Sequence, residues 1–298
     1  MPNLASAESN AVTYQVVHTT RYAYSEDVSV SHHVARVSPR ACPGQECVQH
    51  DLNIEPAPAV VRQHRDYFGN AVTFFIIERA HKELAVRATS TVTVHGRTLP
   101  PAPSTLPWEE ARDFDRLPLD AIECVFDSAS IAVSDAIVDY AHPSFTPGRP
   151  ILDAVADLTR RIHSDFTFDP QATTVATPLR DVLSLRRGVC QDFARLGIAC
   201  LRSHGLAARY VSGYLETIPA PGMPHLAGVD ASHAWLAVYC PGLGWVDVDP
   251  TNNLFPSTTH VTLAWGRDYV DVSPVRGVIL GGGQHTLHVS VDVLRSQT

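Results

Sequence analysis

The stretch Gly188-Val189-Cys190-Gln191-Asp192-Phe193-Ala194 places a cysteine where a helix should begin. Phe193, Leu196, Gly197, Cys200 and Leu201 recur at helical spacing, and Gly205 follows as a stop signal. A thiol in a first helical turn meets the positive end of the macrodipole, which favours its thiolate. Gly188 lets the chain turn sharply and leaves room for a substrate backbone. Two later segments carry the partners that a thiolate nucleophile needs. Ser232-His233-Ala234-Trp235 opens one strand-like run, and Gly244-Trp245-Val246-Asp247-Val248-Asp249-Pro250-Thr251 closes the next. An imidazole holds the ion pair with the thiol and protonates the leaving amine, and a carboxylate fixes the imidazole tautomer. Alone, the cysteine would read as a small buried hydrophobe, and one histidine among fifteen as a core or surface group. The ordered set points to chemistry. Cys200, on the apolar face of the same helix, is expected to be an inert core thiol, and Asp192 is explained by the helix dipole.

Asp247 and Asp249 lie two apart on one strand, so both face the same side and position alone does not separate them. A plain four-residue loop, Pro241 to Gly244, would pair Cys240 with Trp245 and turn Asp249 away from His233. Contact between His233 and Asp249 therefore requires a three- or five-residue loop or a bulge, which Gly242 and Gly244 would accommodate.

The segment Arg186-Arg187-Gly188-Val189-Cys190-Gln191-Asp192-Phe193-Ala194 resembles the nucleophile segment of the bacterial transglutaminase-like superfamily. Leu201 to Tyr214 looks like its following helix end and strand, Ala231 to Trp235 like its histidine segment, and Trp245 to Asn252 like its aspartate segment. His18-Thr19-Thr20-Arg21-Tyr22-Ala23-Tyr24 and Arg36-Val37-Ser38-Pro39-Arg40 are similar to the β-rich N-terminal domain that accompanies this core in bacterial members, and Gly266 to Pro274 to the C-terminal segment. The resemblance implies a papain-like α+β core, a triad of Cys190, His233 and Asp249 (the aspartate before Pro-Thr), and no obligatory cofactor. It implies a cysteine peptidase or amidohydrolase acting on a peptide or protein. The alternatives are transglutaminase-type acyl transfer to an amine and a catalytically silent peptide-binding module. For the oxyanion, the backbone N–H of Cys190 is a natural donor and Gln191 a candidate side chain. Tyr214 and Trp235 are candidates to line the substrate groove, with core packing as the plainer reading.

The elements that must position these groups follow from patterning. Val12–Val17, Ala71–Ile77 and Leu84–Val94 read as strands without intervening helices, which suggests a small antiparallel β-sandwich. Leu99 to Pro107, with its prolines, resists both helix and central strand. Helices are expected over Ile151–Ser164, Leu179–Leu185 and Cys190–Ser203, and strands over Ala208–Tyr214, Ala231–Cys240, Trp245–Asp249, Val275–Leu280 and Leu287–Val293. The expected fold is α+β: a β-sandwich-like N-terminal domain at 1–98, a proline-rich linker at 99–107, and a papain-like, transglutaminase-like catalytic core at 108–298. No residue before the linker is expected to join the triad.

Composition sets the outer limits. With 298 residues, 45% hydrophobic and 18% charged, the chain has globular values. Its 23 basic and 31 acidic residues include no basic run, so nucleic-acid binding finds no support. No apolar stretch reaches a membrane span, and Met1 to Asn10 lacks a basic start and an apolar core, so neither a membrane protein nor a secretory signal is expected. Six cysteines do not form a disulfide scaffold, which favours a cytoplasmic protein with reduced thiols. Cys42 and Cys47, flanking Pro43 to Glu46, could support a bridge or half a metal site, but no second pair completes such a site, so no metal is expected. His32-His33 reads as surface, and Gly281-Gly282-Gly283 as a turn rather than a phosphate loop.

Overall fold

A computed structural model describes residues 11–216 and 231–296. The expectation about Met1 to Asn10 lies outside the described residues. The strand-rich region begins with β1 (Ala11–Ala35), followed by β2 (Gln45–Glu55), β3 (Val60–Arg65), β4 (Ala71–Ile77) and β5 (His81–His95). Sequence patterning marks only the first turnings of β1 as strand, yet the strand runs on because alternate residues Tyr14, Val16, His18 and Thr20 are buried and their neighbours are not. The register of β1 against β5 shifts between Ala23 and Val28. Before the shift β1 pairs with β5; after it, β1 meets β5 again at Val28 and then pairs with β4 from Ser31. β-Bulge irregularity of this kind bends a strand. Phe75 and Ile77 of β4 then pack with Leu84, Val86 and Ala88 of β5 in one apolar cluster.

Residues 99–107 contain only a single 3-10 turn, Ala102–Ser104. Short helices α1 (Trp108–Ala111), α2 (Leu119–Ile122) and α3 (Asp135–Ala141) precede α4 (Ile151–Asp165), β6 (Thr167–Phe168), α5 (Leu179–Leu185), β7 (Arg187–Gly188) and α6 (Cys190–Arg202). Then come β8 (Ala208–Leu215), β9 (Ala231–Cys240), β10 (Gly244–Val248), β11 (His260–Gly266), α7 (Tyr269–Val272), β12 (Val275–Gly281) and β13 (His285–Arg295). A second antiparallel sheet has the order β10-β9-β8-β11, with α6 packed against β9 and β8. The fold is thus mixed, with a strand-rich N-terminal region and a helix-on-sheet core. No helix among the described residues is long and apolar enough to cross a membrane.

The sheets do not follow the linear division of the chain. β12 and β13, which fall within 108–298, pair with β1 rather than with the sheet of His233. Two side-chain amides of the N-terminal region dock on β11 as a neighbouring strand would. Gln45 Nε2 donates to the Thr262 carbonyl at 2.8 Å while Thr262 N–H donates to Gln45 Oε1 at 2.7 Å. Asn70 makes the same paired contact with Trp265, at 2.8 and 3.0 Å. Tyr14, Val16, Val92 and Val94 of the first sheet belong to the same apolar core as α4, α6 and β8.

Candidate active site

α6 starts at Cys190 because Val189 is extended, with φ −116° and ψ 177°, and the helix follows directly. Asp192 does more there than face the dipole. Its Oδ2 accepts from the Val189 N–H at 3.0 Å and from Thr173 Oγ1 at 2.6 Å, so it clamps the turn that presents the thiol. The same carboxylate explains Gly188: a Cβ at 188 would lie 2.7 Å from Asp192 Oδ2. Cys190 is half-buried, whereas Cys200 on the same helix is fully buried, its thiol pushed up to about 12 by burial.

The hairpin between β9 and β10 decides what the histidine meets. Gly244 pairs with Cys240 and Asp247 with Ala237, so the loop has three residues, Pro241 to Leu243. This is one of the registers that contact requires. Gly242 and Gly244 take positive φ, +86° and +77°, as short hairpins of this length demand. One more step along β10 brings Asp249 to the face of His233. His233 Nε2 donates to Asp249 Oδ2 at 2.8 Å, and the Cys190 side chain lies close enough to the imidazole to favour its charged form. With Nε2 committed to the carboxylate, Nδ1 is the ring nitrogen left for sulfur.

Asp249 is buried and held by five donors. Oδ2 accepts from His233 Nε2, from His260 Nε2 at 3.0 Å and from Asn252 Nδ2 at 2.7 Å. Oδ1 accepts from the backbone N–H groups of Thr251 and Asn252 at 2.9 and 3.2 Å. Burial would raise its pKa, but the hydrogen bonds from His233 and His260 outweigh burial and hold the carboxyl well below the usual carboxylate range. His233 shows the reciprocal effect. Burial pulls it down, but hydrogen bonds to Asp249 and Cys190 raise it from 6.5 to about 9. The arrangement is a carboxylate that keeps an imidazolium charged beside a thiol.

His260, on β11, was not singled out by sequence spacing. Its Nε2 lies on Asp249, its Nδ1 hydrogen-bonds Thr259 Oγ1 at 3.0 Å, and its ring stands edge-on to Trp235 at 5.0 Å. His233, Asp249 and His260 have their ligand-type atoms all within 4.8 Å, a composition that a metal could accept. Both Nε2 atoms here point N–H groups at one oxygen, which also takes Asn252. The donor set is therefore spent on hydrogen bonds, and the cluster reads as a pinned carboxylate.

Two groove candidates lie elsewhere. Tyr214 is 1% exposed, belongs to the core on the other face of β8 from His233, and its hydroxyl meets His18 Nδ1 at 2.9 Å. Trp235 is fully buried and stacks on His233 with ring centres 6.0 Å apart, so it supports the ring from behind. Both take the core-packing alternative, because strand alternation sends them into layers that α6 and β11 close. Gln191 is half-buried beside Cys190 and makes no hydrogen bond among the described residues. Among the described residues, every side chain hydrogen-bonded into the cluster comes from after residue 107.

Comparison with known proteins matches residues 14–93 to the bacterial transglutaminase-like N-terminal region and residues 139–250 to the transglutaminase-like superfamily. An uncharacterized protein of Mycobacterium tuberculosis is 41% identical over 292 residues, covering 94% of this chain and 92% of the relative. One from Mycobacterium leprae is 32% identical over 284 residues, covering 94% of this chain and 98% of its own length. A protein-glutamine gamma-glutamyltransferase of Pseudomonas aeruginosa is 31% identical over 152 residues, covering 43% of this chain and 23% of that protein. The crystal structure of a candidate cysteine protease from Cytophaga hutchinsonii superposes with a TM-score of 0.79 over 97% of this chain and 92% of that one. At 22% identity that likeness speaks for the fold.

Proposed function

The chain belongs to the transglutaminase-like superfamily, and on that premise we propose that it hydrolyses peptide or isopeptide amide bonds through a thioacyl-enzyme. Superfamily membership points to cysteine-dependent hydrolase or transferase chemistry. The observation that carries the finer reading is His233, bonded to Asp249 at 2.8 Å, with Cys190 near enough to favour its charged form. Cys190 Sγ attacks the amide carbonyl carbon, with the backbone N–H of Cys190, at the start of α6, facing the developing oxyanion. The C–N bond breaks as His233 gives its proton to the leaving amine. Water then attacks the thioester, His233 takes its proton, and the C–S bond breaks to release a carboxylic acid and restore the thiolate–imidazolium pair. Asp249 holds the imidazole in one tautomer throughout.

Acyl transfer to an amine is the second reading, favoured by the partial identity with the Pseudomonas glutamyltransferase. The two share acylation and differ in whether water or an amine resolves the thioester. Mass spectrometry of a peptide panel incubated with and without amines, using native protein and Cys190→Ala, separates them. Mass gains of one water on cleaved peptides support hydrolysis, and amine adducts support transfer. Products that persist in Cys190→Ala, or no products at all, would overturn both. All six cysteines are free, the usage of a reducing compartment, and we place the protein in the cytoplasm.

A further inference from the structure

A cavity of about 660 Å³ lies behind the candidate active site, between the N-terminal region and the face of the second sheet that α6 does not cover. Residues 42–45 and 94–97 bound it on one side, and Arg209, Trp245, Asp247, His260 and Trp265 on the other. Cys190 and His233 are not on its wall, so it is distinct from the place where the thiol would meet a substrate.

Its charges are arranged unusually. Arg209 on β8 and Asp247 on β10 both pair with Ala237 of β9, so the three residues form a row across one sheet face. The two charged residues start about 10 Å apart, two strand spacings, with only a methyl group between them. The Arg209 guanidinium lies between two indoles, 4.2 Å from the Trp245 ring centre and 3.7 Å from that of Trp265. The side chain is 7% exposed, and its Nε is buried without a partner. Arg209 makes no hydrogen bond or ion pair among the described residues, although a guanidinium carries five N–H donors. Burial lowers it only to about 10, so it stays charged at neutral pH. Asp247 makes no ion pair among the described residues; burial raises its carboxyl, and the Arg209 charge and the nearby Trp235 indole only partly offset that. The other charges at the cavity are committed or exposed. Arg97 donates to the carbonyls of Leu243 and Trp245 at 2.6 Å each, His260 is bound to Asp249, and Asp120 is open to solvent.

A buried cation without a partner is costly unless something anionic completes it. A half-buried carboxylate without a salt bridge on the same wall suits a cation in turn. We propose that this cavity binds a small zwitterion, an amino acid or dipeptide, with its carboxylate on Arg209, its ammonium on Asp247 and its apolar part against Trp245, Trp265 and Leu243. The volume is in the range of small-ligand sites, and a dipeptide spans the distance between the two charges. This site goes beyond the proposed hydrolysis and stands without it.

The test is isothermal titration of full-length Cys190→Ala, which removes the proposed nucleophile, with three probes: glycyl-leucine, its N-acetyl derivative and its C-terminal amide. Intrinsic tryptophan fluorescence provides a second readout, since two indoles line the cavity. Glycyl-leucine should bind at least tenfold more tightly than either derivative and change the fluorescence. Arg209→Met should remove that binding. Should Arg209→Met fail to fold, Asp247→Asn carries the test. In that variant N-acetyl-glycyl-leucine should bind as tightly as the free dipeptide, while the amide stays weak. Absence of binding by all probes, equal binding of all three, or an ammonium preference that survives in Asp247→Asn would overturn the proposal, as would binding that Arg209→Met leaves unchanged.

Discussion

The two ends of α6 carry the same residue type in opposite circumstances. Cys190, in the first turn, is half-buried and lies beside the His233 imidazole. Cys200 sits in the helix interior, fully buried, its thiol pushed up to about 12 by burial. Both ends belong to one rigid element, so the contrast isolates surroundings from residue type. What separates the two thiols is position along the helix: Cys190 lies beside His233 of β9, whereas Cys200 is enclosed by the apolar core.

The largest expected effect is at the two cysteines themselves. Cys190→Ala should lower turnover by about 10⁴-fold or more, as loss of a nucleophile does. Cys200→Ala should leave turnover within about twofold and cost on the order of 1 kcal/mol of stability. Turnover assays beside thermal melts check this, and comparable losses of activity in the two variants would erase the contrast. Next come the carboxylates. Asp249→Ala should slow acylation by about 10³- to 10⁴-fold by freeing the His233 tautomer. Asp247→Asn should slow it less than about tenfold, because Asp247 lies one residue pair further from His233. Asp249→Asn belongs in the same series, since an amide can also orient the ring. If the Asp247 variant proves the slower, the orienting residue has been misassigned.

His260 sharpens the picture on a smaller scale. It supplies one of five hydrogen bonds on Asp249, so His260→Ala should slow acylation about tenfold with little change in KM, the worth of one charge-assisted hydrogen bond. Unchanged acylation would mean that Asn252 and the backbone hold Asp249 unaided.

The smallest effect is on stability against pH. His233 is raised in the folded chain, so the stability contributed by its charged form is complete below about 6.5 and is lost as pH rises through about 9. Urea midpoints of native protein and Asp249→Ala should therefore converge between about pH 6 and pH 10. A gap that widens with pH would give the imidazole the wrong sign.

Part of this was legible from residues alone. Helical spacing from Phe193 to Leu201 fixed the orientation of α6, and alternation along β9 and β10 showed that contact between His233 and Asp249 needed a shifted hairpin. A period-2 pattern states which face a side chain occupies, so loop length becomes a test of contact. The rest was hidden for identifiable reasons. β11 is buried on both faces from His260 to Ala264, so it shows no alternation and escaped recognition as a strand. His260 therefore remained one histidine among fifteen, with no local spacing to connect it to Asp249. For Tyr214 and Trp235 sequence leaves groove lining and core packing open, because an aromatic beside a functional residue looks the same whether it lines a cleft or braces it. The placement of β12 and β13 depended on pairings with β1 more than two hundred residues away, which no window of sequence contains.

That last pairing bears on how the protein is made. From Tyr14 to Tyr24, β1 is flanked by β5 on one side and by β13 on the other. β5 leaves the ribosome soon after β1, but β13 emerges only after the whole helix-on-sheet core has been synthesised. At the usual pace of translation the interval is on the order of ten seconds or more. Throughout it one edge of β1 offers unpaired N–H and C=O groups to any passing strand. A nascent chain halted anywhere before residue 285 would keep that edge bare however well the region around Cys190 had folded. Pairing of β13 thus closes an edge of β1 that no residue of the strand-rich N-terminal region covers, and until that pairing forms β1 remains a surface for unwanted strand addition.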